Sequence, residues 1–527
     1  MRIGLLLAVA VVAAGPAQAA AKTAYDPAEK SISQLGADMA AGRVTAEGLV
    51  KAYLDRIRRL DRAGPKLQSV IALNPAALAE ARALDAERRK SGPRGPLHGI
   101  PLLLKDNIET QDAMPTTAGS LALKDNITHR DAPLAAKLRA AGAIILGKTN
   151  LSEWANIRSS SSISGWSAIG GLTKNPYVLD RNTCGSSAGS GTATAASLAA
   201  ATIGTETDGS VICPSSIVGI VGLKPTVGLV SRSRIVPISV SQDTAGPMAR
   251  SVADAAALLS VIAGSDPADP ATAGADAHRA DYAAALAHAS LKGVRLGVFH
   301  VEGSGANAST AEAFAAAVVT LKAAGAEVID LKPVKVPDAI GEDELTVLLT
   351  ELKTGLNAYL ATTAAKTRTL SDVIAFNRAN PRETVLFGQD LFEKADATTG
   401  DAAKARTESR DFARATLDKL LADNKLDALI TASGSPSWRI DAVRGDRDAG
   451  ESASLPAVAG YPHLTVPMGN VYGLPVGISF IGPAWSDAKL LAIGGAYERV
   501  SHKRVAPRFI PSWETAPENA AALAPGK

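Results

Sequence analysis

Three stretches of this sequence carry residues whose types and spacing could do chemistry. The first is Gly99-Ile100-Pro101-Leu102-Leu103-Leu104-Lys105-Asp106-Asn107, an apolar run that ends on a cation. Its lysine either surfaces into solvent as a strand ends or stays inside the fold. Inside, burial disfavours the charged form and lowers the pKa well below about 10.4. A neutral lysine can then act as a base toward serine. Lys-Asp-Asn-Ile recurs at residues 124–127, but that copy leads into Thr128-His129-Arg130, and its polar setting reads as surface. The second stretch, Gly185-Ser186-Ser187-Ala188-Gly189, is formally a Gly-x-Ser-x-Gly elbow centred on Ser187. An elbow needs a strand before its serine, and a carboxylate and histidine after it. Asp180-Arg181-Asn182-Thr183-Cys184 is not strand-like, and His278, His288, His300, His463 and His502 sit in no recognisable setting. The third is Thr205-Glu206-Thr207-Asp208-Gly209-Ser210. Asp-Gly marks a turn. A serine just after it can lie under free backbone N–H groups able to hold the oxyanion of acyl transfer.

These residues need a scaffold, and the chain alternates strand and helix signals. Residues 32–60 place apolar side chains at helical spacing and read as two helices broken at Gly42. Residues 69–73 read as a strand and 75–90 as a helix; 100–104 form a buried strand, 133–141 a helix and 143–146 a strand. The alternation resumes with strand 294–299, helix 310–324, strand 328–331, helix 343–362 and strand 428–431. This pattern predicts an α/β fold with a mostly parallel or mixed sheet covered by helices. Residues 264–280 and 332–341 read as loops. The Ser-, Gly- and Thr-rich segment 159–216 includes Trp166, Ile169, Pro176, Tyr177, Ile203 and Ile212. It therefore reads as structured backbone approaching something closely, and it leads into strand-like residues 217–223.

Composition narrows the function classes. With 527 residues, 46% hydrophobic and 20% charged, most of the chain can bury a core. A net charge of +3 does not favour nucleic acid or an anionic membrane as partner, and 4% aromatics do not favour base stacking. Two cysteines exclude a four-thiolate metal site. At the N-terminus, Met1-Arg2, an apolar run over residues 3–15 and Pro16-Ala17-Gln18-Ala19-Ala20 have the anatomy of a cleaved signal peptide. The run is shorter than the ~20 residues of a membrane span. The expectation is a leader over residues 1–20, one domain over 21–527, and an exported protein, periplasmic or secreted.

Taken in order, Lys105, Gly185-Ser186-Ser187 and Thr207-Asp208-Gly209-Ser210 resemble the amidase signature family. The likeness extends through Gly219-Ile220-Val221-Gly222-Leu223-Lys224-Pro225-Thr226, Asp243-Thr244-Ala245-Gly246-Pro247-Met248-Ala249-Arg250, Ala459-Gly460-Tyr461-Pro462 and Gly473-Leu474-Pro475-Val476-Gly477. The resemblance implies a single α/β/α domain on a large mixed sheet and a Ser–cis-Ser–Lys catalytic set. Ser210 is then the nucleophile, Ser186 the bridging serine at a cis peptide and Lys105 the base. Thr207, Asp208 and Gly209 supply the oxyanion hole and Ser187 a supporting hydrogen bond. No metal or organic cofactor is implied.

Two departures stand out: Cys184-Gly185-Ser186-Ser187-Ala188-Gly189-Ser190 replaces Gly-Gly-Ser-Ser-Gly-Gly-Ser, and the arginine of the family's Ser-Ile-Arg is absent from Ser210-Val211-Ile212-Cys213. Residues 150–156 and 162–168 resemble the peptide amidase branch, which removes C-terminal amides of peptides. The expected partner is thus a peptide or small-molecule amide, the latter aryl or aliphatic, and the expected state a monomer or small homo-oligomer. A different class, an exported solute-binding relative without activity, would also suit a leader and an α/β chain. Cys184 and Cys213 flank the proposed serines as buried residues, as a disulfide, or, without a nearby histidine, as a nucleophile. Trp154, Trp166 and Trp438 are either pocket walls or core.

Overall fold

The computed structural model describes residues 25–303, 307–447 and 452–517, together with 519 and 523. The expected leader lies outside the described residues. Eleven strands form one sheet. In chain order they are β1 (Val70–Leu73), β2 (Pro101–Lys105), β3 (Ile144–Thr149), β4 (Ala201–Glu206), β5 (Val221–Lys224), β6 (Thr244–Ala249), β7 (Arg295–Val298), β8 (Glu327–Asp330), β9 (Ala428–Ala432), β10 (His463–Val471) and β11 (Leu474–Ile481). Their spatial order is β1-β3-β2-β4-β6-β5-β10-β11-β9-β7-β8. Pairing is parallel along β3-β2-β4 at one end and β9-β7-β8 at the other. The middle, from β4 through β6, β5, β10 and β11 to β9, is antiparallel, and β1 closes the first edge antiparallel to β3. The sheet is mixed and covered by helices, as expected. The β–α alternation legible in the sequence belongs to its two parallel wings, where crossover helices are obligatory.

Local chemistry accounts for the elements around the site. Every residue of β2 and β4 is buried, which suits their near-continuous apolar and small side chains. Helix Ile32–Ala40 starts at a capping box between Ser31 and Gln34, and the chain turns at Gly42, φ +68°, before helix Ala46–Arg56. Helix Pro133–Ala140 opens on proline, whose fixed φ suits a first turn.

The segment 159–216 is structured. It contains helix Ala188–Ala195, strand β4 and helix Ile212–Ile217, each buried along its length. Its small residues are steric requirements. A Cβ at Gly189 would collide with the carbonyl oxygens of Asn150 and Ser69, and one at Gly204 would come within 2.8 Å of Ser187 Oγ.

Three expectations shift. The strand expected over 217–223 begins at Val221, because helix Ile212–Ile217 occupies its start and Gly219, φ +63°, turns the chain first. The apolar run is buried, but by a helix end and a strand start in succession. The loop expected over 264–280 includes a short 3-10 turn, Pro270–Thr272, and one helical turn, Ala275–His278. Helix Asp338–Ala361 starts inside the expected loop 332–341, immediately after Pro337.

Candidate active site

The site assembles where β2 and β4 lie side by side, at the ends where both strands run out. Lys105 is the last residue of β2 and is fully buried. Its Nζ lies 2.7 Å from Ser186 Oγ, 2.9 Å from Thr205 Oγ1 and 3.1 Å from the Thr205 carbonyl oxygen. Asn107 Nδ2 donates to the same Thr205 hydroxyl at 2.9 Å. Burial pushes the Lys105 ammonium down to about 7, against the opposing pull of the Asp243 and Glu206 carboxylates. The second Lys-Asp-Asn-Ile copy has its Lys124 exposed. The difference lies in the sheet: Lys105 ends a central strand, whereas Lys124 caps a short 3-10 turn over Leu121–Leu123.

Ser186 follows the one cis peptide bond among the described residues, Gly185–Ser186, and is fully buried. Its carbonyl accepts from the Ser152 N–H at 3.0 Å. Ser187 does not project as an elbow nucleophile. Its Oγ donates to the Thr205 carbonyl at 3.0 Å and accepts from the Thr205 N–H at 3.2 Å, while its own N–H donates to the Ser210 carbonyl at 3.2 Å. Ser187 thus joins β4, the cis-peptide loop and the Ser210 turn through one side chain and one amide.

Beyond β4 the chain turns through Thr207-Asp208-Gly209-Ser210, with Gly209 at φ +73°, a conformation suited to glycine. The Glu206 carboxylate accepts from the N–H groups of Val211 at 2.7 Å and Ile212 at 3.0 Å, which pins the chain just after Ser210. Thr207 Oγ1 donates to Asp243 at 2.6 Å, and Ser454 Oγ donates to Asp208 at 2.8 Å. Burial raises the Asp208 carboxyl to about 6. The N–H groups of Thr207, Asp208 and Ser210 find no protein acceptor among the described residues, while that of Gly209 faces the Glu206 carboxylate. Ser210 lines a cavity of about 300 Å³ together with Cys184, Gly185, Thr207, Asp208 and Trp438.

Cys184 and Cys213 form a disulfide with their Cα atoms 6.0 Å apart, so neither is a free nucleophile. Of the three tryptophans, Trp438 lines the cavity, while Trp154 packs edge-on against Phe392 and Trp166 against Phe387 in the core. None of the five downstream histidines lines the cavity. His463 is buried in the sheet, 2.5 Å from Ser479 Oγ, and His278, His288, His300 and His502 are exposed. Among the described residues no cluster of His, Cys, Asp and Glu is arranged to hold a metal ion. No helix of these residues is long and apolar enough to cross a membrane.

Sequence reasoning missed Thr205, the anchor shared by Lys105, Asn107 and Ser187. Its place immediately before Glu206 and the turn is the signal that could have found it. It also missed Asp446, a cavity-wall carboxylate that accepts from Ser164 N–H at 2.9 Å and Asn182 Nδ2 at 3.1 Å. Nothing in its local sequence marks it.

The family model for amidases matches residues 48–491. The chain belongs to the amidase family. Amide hydrolysis is therefore its class of reaction. The enzyme is 41% identical over 483 residues to a probable amidase of Arabidopsis thaliana, with 89% of each chain covered. It is 51% identical to the native peptide amidase of Stenotrophomonas maltophilia, with a TM-score of 0.85 over 92% of this chain and 99% of that one. It is also 35% identical to an amidase family protein from Bacillus anthracis, with a TM-score of 0.82 over 91% of this chain and 92% of that one. The enzyme shares the amidase signature fold and its large mixed sheet.

Proposed function

We propose that the enzyme is an exported amidase that removes the C-terminal amide of peptides through a Ser210–Ser186–Lys105 relay. The observation that carries the mechanism is the fully buried Lys105 amine 2.7 Å from Ser186 Oγ. The hydrogen-bond inventory around Nζ supports a neutral amine. Two N–H bonds can serve the Thr205 carbonyl and the Thr205 hydroxyl, which already accepts from Asn107, and the lone pair is left to accept the Ser186 O–H. A cation in the same place would have to donate to Ser186 and could not take its proton.

In this reading Ser210 Oγ attacks the amide carbon, its proton moves to Ser186 Oγ and the Ser186 proton moves to Lys105. A serine needs such a base because its own pKa leaves it a weak nucleophile. The oxyanion lies against the turn Thr207-Asp208-Gly209, where the Thr207 and Asp208 N–H groups are the donors left without a protein acceptor. Collapse of the tetrahedral intermediate breaks the C–N bond. Lys105 returns the proton through Ser186 to the leaving nitrogen, and ammonia departs. Water then attacks the ester on Ser210 by the same relay and releases the carboxylate. Ser187 holds the loops in register and touches no reacting atom.

The substrate reading rests on the 51% identity to a peptide amidase. Export rests on the first 20 residues of the sequence, and a structural disulfide is compatible with an oxidising compartment. The test is ammonia release from peptide amides, aryl amides and short aliphatic amides side by side, with labelling by a serine-directed fluorophosphonate. Peptide amides should give the highest kcat/KM, and Ser210→Ala should abolish both labelling and turnover. Label persisting in that variant would remove Ser210 as nucleophile, and faster turnover of simple amides would remove the peptide reading.

A further inference from the structure

We infer that the Cys184–Cys213 disulfide is a positioning device for the reaction, holding the loop of Ser186 against the turn of Ser210. This rests on the relay reading above. Cys184 precedes Ser186 by two residues, and Cys213 follows Ser210 by three. The chain therefore gives each serine little slack relative to its cysteine, since consecutive Cα atoms are only about 3.8 Å apart. The bond joins two cysteines 29 positions apart, on segments that meet in space. The chain between them contains helix Ala188–Ala195 and all of β4, so the crosslink ties the two ends of one catalytic unit.

A backbone hydrogen bond also crosses this seam, Ser187 N–H to the Ser210 carbonyl at 3.2 Å. Both cysteines are buried and pack with Val211, Ile217, Val218, Ile220 and Met248. Cys184 also lines the cavity, at φ +53°, with its N–H given to Asn182 Oδ1 at 2.7 Å. Among the described residues no other disulfide is formed.

Two thiols cannot sit at bonding distance, so reduction must part the segments or turn the side chains. A proton relay through a serine tolerates little displacement. About 1 Å of misplacement costs on the order of 10²-fold in rate. Substrate binding in the cavity depends less on this seam than transfer between Ser210 and Ser186 does. The expected signature is a loss in kcat with KM nearly unchanged.

The experiment treats the full-length enzyme with dithiothreitol. The reagent's two thiols close to a cyclic disulfide and deliver two electrons and two protons, leaving Cys184 and Cys213 as thiols. Thiol titration counts the product, thermal melting reports the fold, and kcat and KM are measured on one amide. A Cys184→Ala/Cys213→Ala variant carries the same test if the reagent does not reach the bond. We expect kcat to fall about 10- to 100-fold with a cooperative melt retained. Labelling of Ser210 by fluorophosphonate should slow in parallel, reoxidation should restore it, and the double variant should be insensitive to reductant. An unchanged kcat with two thiols titrated, or in the double variant, overturns the inference. So does loss of the cooperative melt, or a rise in KM at constant kcat, either of which assigns the bond to general stability or to the pocket wall. If Ser210→Ala keeps full activity, the relay reading fails instead, and that result is independent of the reductant.

Discussion

Replacing Lys105 by methionine should make the enzyme inactive and, below pH 7, more stable. Burial brings the Lys105 ammonium from its usual 10.5 to about 7, so the fold disfavours the charged form by about 5 kcal/mol. Methionine has similar volume and removes that cost. It also strips Ser186 Oγ of its partner, about 1–3 kcal/mol for a buried polar group left unpaired, while the Thr205 carbonyl keeps the hydrogen bond from Ser187 Oγ. The net gain for the variant is about 2–4 kcal/mol at pH 7 and below. The sign follows from linkage. With the folded-state pKa below the unfolded one, the unfolded chain binds more protons between about 7 and 10.5, so wild-type stability rises with pH across that window. The variant lacks that contribution, and its advantage should shrink or reverse by pH 9.5. Glu206 and Asp243, the carboxylates that act on Lys105, remain in both proteins, and the difference between the two removes most of their contribution. The assay is urea denaturation of both at pH 6 and pH 9.5, beside a pH–rate profile of the wild type. Below pH 7, kcat/KM should fall about tenfold per pH unit, and it should level off above about pH 8. A stability difference that is the same at both pH values, or a flat profile from pH 5.5 to 8, would refute a lysine held neutral by burial.

Other outcomes follow from the same geometry. Ser186→Ala should lower kcat by about 10²–10⁴-fold, the range for a positioned proton-transfer group, with the melt unchanged because the side chain is small; steady-state kinetics and a urea curve check it. Trp438→Ala should raise KM for peptide amides more than it lowers kcat, since a wall contact made equally in ground and transition states is uniform binding. Arg158→Met should destabilise by about 3–5 kcal/mol in urea denaturation. It leaves Glu153, whose carboxyl burial and the neighbouring Glu383 push well up, without the guanidinium 2.9 Å away that opposes that rise, and it removes a cation seated 4.2 Å over the Phe387 ring.

Some of this protein was written in local sequence. The apolar run ending at Lys105 announces a buried strand, because a central strand has no solvent face and needs no alternation. The β–α rhythm of the two wings is legible because parallel neighbours require long crossovers. Asp208-Gly209 marks its turn by the chemistry of φ > 0. The resemblance, carried by blocks from Lys105 to Gly477, extended the reading to one mixed sheet and to a serine and lysine set. Neighbours distant in the chain decided the rest. Two identical tetrapeptides became a buried amine at Lys105 and an exposed one at Lys124. A pKa depends on what surrounds a group, and for Lys105 the surroundings arrive from residues about 80 to 100 positions away. The antiparallel middle of the sheet, the anchoring by Thr205, the pairing of Cys184 with Cys213 and the place of Asp446 in the cavity wall are contacts of the same kind. Local sequence sets backbone preference and periodicity. The coincidence of three side chains at one point, and the removal of water from among them, are decided only when the strands meet.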